Sequence, residues 1–203
     1  MSARSVAIIP CSGSNYHSVL AAAAYHHVPS QVTVDPEQIR RASHVILPGV
    51  GAAEFAMGQI QDLGLAEVIR ELKQPVLGIC LGMQLLGKTS DEGKVPCLNL
   101  IPLSVHRLTQ APLLPHMGWN NMSFRLPIDP LLAGCDEQSD FYFVHSYGMA
   151  THPEWTIATC NYGCDFSAAV RYKNFWGTQF HPEKSGALGY RVLGQFFAQS
   201  GRD

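Results

Sequence analysis

Three residues of this sequence have the types and the settings for chemistry on an acyl group: Cys80, His181 and Glu183. Cys80 stands where an apolar, strand-like run, Val76-Leu-Gly-Ile79, ends on a cysteine framed by Gly78 and Gly82. The Gly-x-Cys-x-Gly spacing has the form of a nucleophile elbow with sulfur in place of oxygen. Glycines on both sides let the backbone pack closely around the turn and lift the cysteine to the C-terminal edge of a sheet, where open α/β folds place ligands. A helix starting near Leu81 points its N-terminus at the sulfur, and that partial positive charge favours thiolate. Taken alone, the motif also fits a buried cysteine acting as a small hydrophobe, which is how Cys11, Cys97, Cys135, Cys160 and Cys164 read.

A cysteine nucleophile needs a base, and nine histidines compete for the role. His181, in Gly177-Thr-Gln-Phe-His-Pro-Glu183, closes another strand-like run and is expected at the same sheet edge. Glu183, two residues on, faces the same way in extended backbone and is placed to orient the imidazole. His145, in Phe143-Val-His-Ser-Tyr147, also closes a strand and is the alternative base, without an acidic neighbour. The oxyanion that develops in acyl transfer needs donors. Leu81 N–H supplies one by position. Leu47-Pro-Gly-Val-Gly51 follows another strand, and its two glycines let Val50 N–H turn toward or away from the site, which makes the activity switchable.

Elements with the right polarity surround these residues. Apolar runs at 6–9, 32–34, 44–47 and 76–79 alternate with helix-like sequence at 14–26 and 52–73, the latter interrupted at Gly64. That rhythm predicts a mostly parallel central sheet with helices on both faces. Residues 88–124, with prolines at 96, 102, 112 and 115, read as loops or edge strands. Strand-like runs return at 141–144, 155–160, 167–172 and 175–180 before a final helix at about 186–199.

A chain of 203 residues is the right size for one domain, 1–203. With 46% apolar and 15% charged residues and a net charge of -2, the chain is not a bulk nucleic-acid binder. It has no Walker loop and no Gly-x-Gly-x-x-Gly. The run at 6–9 is too short to span a membrane. Six cysteines without Cys-x-x-Cys spacing, and no signal-peptide pattern before them, fit a reducing cytoplasmic compartment, and no metal site is expected.

In order along the chain, Pro48-Gly-Val-Gly51, Gly78-Ile-Cys-Leu-Gly-Met-Gln84 and Gln179-Phe-His-Pro-Glu183 resemble the class I, triad-type glutamine amidotransferases over nearly its whole length. Pro115-His-Met-Gly-Trp-Asn120 and His181-Pro-Glu-Lys-Ser-Gly186 are similar to stretches of the glutaminase subunits of imidazole glycerol phosphate synthase, from histidine biosynthesis. The resemblance implies a flavodoxin-like α/β glutaminase that uses no cofactor, with Cys80 as nucleophile, His181 as acid/base and Glu183 as its orienting partner. Leu81 and Val50 would form the oxyanion hole. Gly49, Gly51, Gln84, Ser146 and Tyr147 would hold glutamine. It also implies a heterodimer with a (β/α)8-barrel cyclase subunit that receives the ammonia, with His116, Met117, Trp119 and Asn120 at the interface.

The chain departs from the family pattern at 10–15, where Pro-Cys-Ser-Gly-Ser-Asn replaces Asp-Tyr-Gly-x-Gly-Asn, and at Leu103, which replaces a glycine. The triad itself leaves other acceptors open, such as those served by the glutaminase subunits of pyridoxal phosphate synthase or anthranilate synthase. It also leaves open a non-catalytic regulator on the same fold.

Overall fold

The computed structural model describes residues 4–11, 13 and 16–200. Strands β1 (Val6–Ile8), β2 (Ser30–Val32), β3 (His44–Gly49) and β4 (Val76–Cys80) alternate with helices α1 (Tyr16–Tyr25), α2 (Pro36–Arg41), α3 (Ala53–Asp62) and α4 (Leu65–Glu71). Helix α5 (Leu81–Leu85) follows β4 without a break. The middle of the chain holds short strands β5 (Thr89–Ser90), β6 (Val95–Pro96), β7 (Val105–Arg107), β8 (His116–Asn120) and β9 (Ser123–Phe124). Strands β10 (Phe141–His145), β11 (Tyr147–Met149), β12 (Thr156–Asn161), β13 (Asp165–Tyr172) and β14 (Phe175–Thr178) precede the closing helix α6 (Gly186–Ala198).

The main sheet has the order β2-β1-β3-β4-β14-β13-β12-β9. Its first five strands run parallel and the other three continue antiparallel. The parallel half has the strand order of flavodoxin-like folds. It is apolar throughout because it is buried on both faces. Val6, Ile8, Ile46, Leu77 and Ile79 pack with α1 and α6, whereas Ala7, Val45, Leu47 and Val76 pack with α2 to α5. Two smaller sheets, β8 with β10 and β11-β7-β5-β6, stand beside the main one.

Parallel pairing with β1 places β2 at Ser30–Val32, two residues before the expected run, and leaves Val34 exposed. Helix α2 was not anticipated, although Asp35 caps it by accepting from Glu37 N–H and Pro36 opens it. Gly64, at φ 66°, separates α3 from α4 as its position suggested. Within 10–15, Ser12, Ser14 and Asn15 lie outside the described residues, as does the expected start of the first helix at Ser14. The Cys11 thiol donates to Pro48 O at 3.1 Å, so the atypical first loop touches the end of β3. Leu103 is buried in the core on the α2–α5 side.

The elbow glycines are required by space rather than by backbone conformation. A Cβ on Gly82 would lie 1.7 Å from the Leu47 carbonyl oxygen, and one on Gly78 would lie 2.6 Å from the Gly82 carbonyl oxygen. Helix α5 therefore rests backbone against backbone on β3 and β4. A Cβ on Gly58, inside α3, meets nothing within 4 Å. Gly82→Ala is expected to cost more than about 3 kcal/mol through overpacking. Gly58→Ala should add up to about 1 kcal/mol through helix propensity. Urea unfolding of both variants reads the contrast.

Candidate active site

The C-terminal ends of three neighbouring parallel strands bring the expected chemical groups together. Gly49 at the end of β3 pairs in register with Cys80 at the end of β4, and Thr178 of β14 pairs with Ile79. Cys80 occupies the sharp turn into α5 with φ 53° and ψ -110°, a conformation that costs a non-glycine residue about 1–3 kcal/mol and is held by the packing of α5. Helix α5 has only five residues, so its dipole is small beside the charge of the neighbouring imidazole.

His181 lies three residues beyond β14 rather than at its end. The chain leaves the main sheet after Gln179, whose N–H still reaches Ala168 O, and His181 N–H bonds instead to Tyr142 O of β10. The backbone then turns. Pro182–Lys184 form a 3-10 turn, closed by Lys184 N–H to His181 O at 3.0 Å, in place of the extended segment expected between His181 and Glu183. The two side chains still meet, with His181 Nδ1 2.8 Å from Glu183 Oε1. Both are almost fully buried. His181 Nε2 has no hydrogen-bond partner of good geometry and is the nitrogen left for Cys80.

Burial opposes charge on His181, but hydrogen bonding and electrostatic attraction from Cys80 and Glu183 outweigh it and raise the pKa to about 10. The ring thus lies between two groups that favour its charge. His145, the alternative base, is excluded by its surroundings: Nδ1 is 2.8 Å from Tyr147 O and Nε2 is 3.2 Å from His116 Nδ1. Burial pushes its pKa down to about 3. Burial also pushes the thiols of Cys11 and Cys160 up to about 12 and that of Cys97 to about 11, which keeps them protonated.

A cavity of about 310 Å³ opens on the Cys80 sulfur and is bordered by Val50, Gly51, Leu81, Gln84, Ser146 and Tyr147, all expected site residues. Gly49 sits instead in a small crevice with His181 and Glu183, on the other side of Val50. The Cys80 thiol is 3.7 Å from Val144 O, and Gln179 Nε2 reaches the sulfur at the same distance. Gln84 Nε2 donates to Tyr147 O at 2.8 Å and to Gln179 Oε1 at 3.0 Å.

Sequence reasoning missed Glu92, which lines the cavity and accepts from Ala53 N–H at 3.0 Å. It supplies the cap that Ala52 lacks at the start of α3. Glu92 carried no local signal and Gln179, though part of the His181 motif, had no role assigned, since each reaches the site through contacts distant in sequence. A second cavity, about 350 Å³, lies between β1, β2 and α2, away from these groups.

The four residues grouped as a partner surface divide between two faces of β8. Met117 and Trp119 point outward, 62% and 58% exposed, whereas His116 is 3% exposed. His116 stacks on Phe143 and Tyr162. Asn120 is half-buried, with Nδ2 on Asn161 O at 3.1 Å. Of the four, Met117 and Trp119 are open to solvent and His116 is turned inward, because alternate residues of a strand face opposite ways.

A cysteine at a strained strand-to-helix turn, a buried histidine–glutamate pair and a cavity at one sheet edge are the groups that thiol-dependent acyl transfer requires. The family model for glutamine amidotransferase class-I matches residues 9–200, and the chain belongs to that family. It is a glutamine amidotransferase, an enzyme that releases the amide nitrogen of glutamine. The imidazole glycerol phosphate synthase subunit HisH of Escherichia coli (strain K12) is 46% identical over 193 residues, 94% of this chain and 97% of that protein. The HisH subunit of Salmonella typhimurium (strain LT2) is 47% identical over the same shares. Among solved structures, a glutamine amidotransferase superposes with a TM-score of 0.74 at 16% identity, covering 94% of this chain and 96% of that one. One from Thermotoga maritima superposes with a TM-score of 0.67 at 18% identity, covering 90% and 77%. These likenesses carry the expected fold.

A histidine whose folded pKa is raised binds protons that the unfolded chain has lost, so its stabilising effect is full below pH 6.5 and fades as pH rises to about 10. The stability difference between wild type and His181→Gln is expected to shrink across that window. Urea unfolding over a pH series measures it.

Proposed function

We propose that the chain, 1–203, works as one glutaminase domain, the ammonia-producing subunit of an imidazole glycerol phosphate synthase in histidine biosynthesis. Cys80 attacks the side-chain amide carbon of glutamine. His181, held as imidazolium beside Glu183, hands a proton to the departing ammonia, leaving a cysteinyl thioester and a neutral ring. Water, deprotonated by His181, then releases glutamate and restores the thiolate and imidazolium. Leu81 N–H and Val50 N–H stabilise the oxyanion in each step.

Gln84, Gly51, Ser146 and Tyr147 hold the rest of the substrate, and Gly49, outside the cavity, gives Val50 its place beside it. Glu92 is the carboxylate of the cavity and complements the glutamine α-ammonium. Burial of His181 between Cys80 and Glu183 is the observation that carries the mechanism. The likeness to the HisH subunits supports the choice of acceptor.

The ammonia passes to a (β/α)8-barrel cyclase subunit in a heterodimer, where it enters imidazole glycerol phosphate while an aminoimidazole carboxamide ribotide is released. Met117 and Trp119 supply an apolar anchor for that partner. In the isolated chain Val50 N–H points away, and hydrolysis is slow until partner and acceptor bind. The compartment is the cytoplasm; among the described residues no helix is long and apolar enough to cross a membrane.

Glutamate release is measured with and without the cognate cyclase and its nucleotide ligand. Wild type should be active chiefly in the complex. Cys80→Ala should lose about a thousandfold or more, and Glu183→Gln about a hundredfold. Rapid hydrolysis by the chain alone contradicts the gating, and indifference to the cyclase assigns the subunit to another synthase. Trp119→Ala is expected to weaken cyclase binding by about 2 kcal/mol, near thirtyfold in Kd by titration calorimetry.

A further inference from the structure

The acyl chemistry uses one histidine, yet a second, His145, lines the same cavity and a third, His116, is buried against it. His116 and His145 face each other across the β8–β10 pair. The Tyr147 carbonyl, 2.8 Å from His145 Nδ1, can only accept, so Nδ1 carries the proton. Burial keeps His145 neutral, and its Nε2 is therefore an acceptor. It meets His116 Nδ1 at 3.2 Å, which makes His116 a donor through the same ring position. His116 is kept neutral by burial as well, and its Nε2 faces Asn120 Nδ2 at 3.4 Å. Each ring thus has one tautomer, fixed by its neighbour.

The Tyr147 carbonyl is shared. It also accepts from Gln84 Nε2 at 2.8 Å, which decides which end of that amide faces it. Gln84 Nε2 donates onward to Gln179 Oε1, and this turns Gln179 Nε2 toward the Cys80 sulfur. Two runs of hydrogen bonds, one from Asn120 on β8 and one ending at the sulfur, therefore meet on a single carbonyl oxygen. Neither His116 nor His145 has a ring nitrogen free for proton transfer.

We propose that His116 and His145 are positioning residues which, through the Tyr147 carbonyl, hold Gln84 and Gln179 in the orientation that aims an amide N–H at the Cys80 sulfur. The proposal rests on Cys80 being the nucleophile of the glutaminase. It ties β8, whose outer face carries Met117 and Trp119, to the reacting atom by hydrogen bonds rather than by packing alone.

Two substitutions at His116 separate this role from packing. His116→Phe keeps a flat ring between Phe143 and Tyr162 but removes the donor to His145. His116→Asn loses the stacking and keeps an amide N–H at the position of Nδ1. Glutamine hydrolysis with the cyclase and its ligand, and the rate of Cys80 alkylation by iodoacetamide, are measured for both and for wild type. His116→Phe is expected to lose about tenfold in kcat, the size of one buried hydrogen bond, while His116→Asn stays within about threefold of wild type.

Equal activities, or His116→Phe outperforming His116→Asn, overturn the proposal, since a packing role favours the aromatic replacement. A further readout needs no variant. In the 15N NMR spectrum of wild type at neutral pH both rings should be neutral with the proton on Nδ1, and the Nε2–H form in either overturns the relay. Absence of Cys80-dependent hydrolysis in wild type would remove the glutaminase reading itself, a result distinct from any ranking of the His116 variants.

Discussion

The close approach of α5 to the ends of β3 and β4 is the constraint on which the site depends. Three glycines, Gly49, Gly78 and Gly82, let two backbone layers touch where side chains would normally separate them. That contact holds Cys80 in a conformation an ordinary turn would relax, with its sulfur at the cavity instead of in the core. It also sets the height of Val50 and Leu81 relative to the sulfur, because both continue directly from the touching segments. Tight packing carries the strain of the turn, so the placement of the Cys80 sulfur is fixed by the fold itself.

Around that turn the protein keeps two kinds of histidine side by side. His181 is buried with partners that favour its charge and is raised to about 10, whereas His145 is buried with partners that need it neutral and is lowered to about 3. Burial is common to both, so the neighbours decide the sign of the shift. The positive charge of His181 in turn lowers His145, which keeps the second ring out of proton traffic.

That Cys80, His181 and Glu183 would come together was legible in the sequence because each depends on a local requirement: glycines around a crowded turn, and a proline that holds histidine and glutamate close. The parallel half of the sheet was legible from its continuous apolar runs. What stayed hidden depends on register. Gln179 reaches Cys80 only because β14 lies beside β4, and Glu92 reaches α3 from a loop between β5 and β6. Strand β8 was hidden for another reason. Its pattern is inverted, with His116 inside an aromatic cage and Met117 and Trp119 outside, so residue polarity does not reveal its faces.

The placement of β8 and β10 in a sheet of their own has an evolutionary consequence. The strands that carry Cys80 and lead to His181 belong to the main sheet, and the outward residues Met117 and Trp119 belong to the other. Since successive residues of β8 alternate between faces, Met117 and Trp119 can be exchanged by mutation while His116 and Asn120 keep their places within. The outer face of the strand can therefore vary in a descending lineage while the hydrogen bonds of its inner face are inherited unchanged.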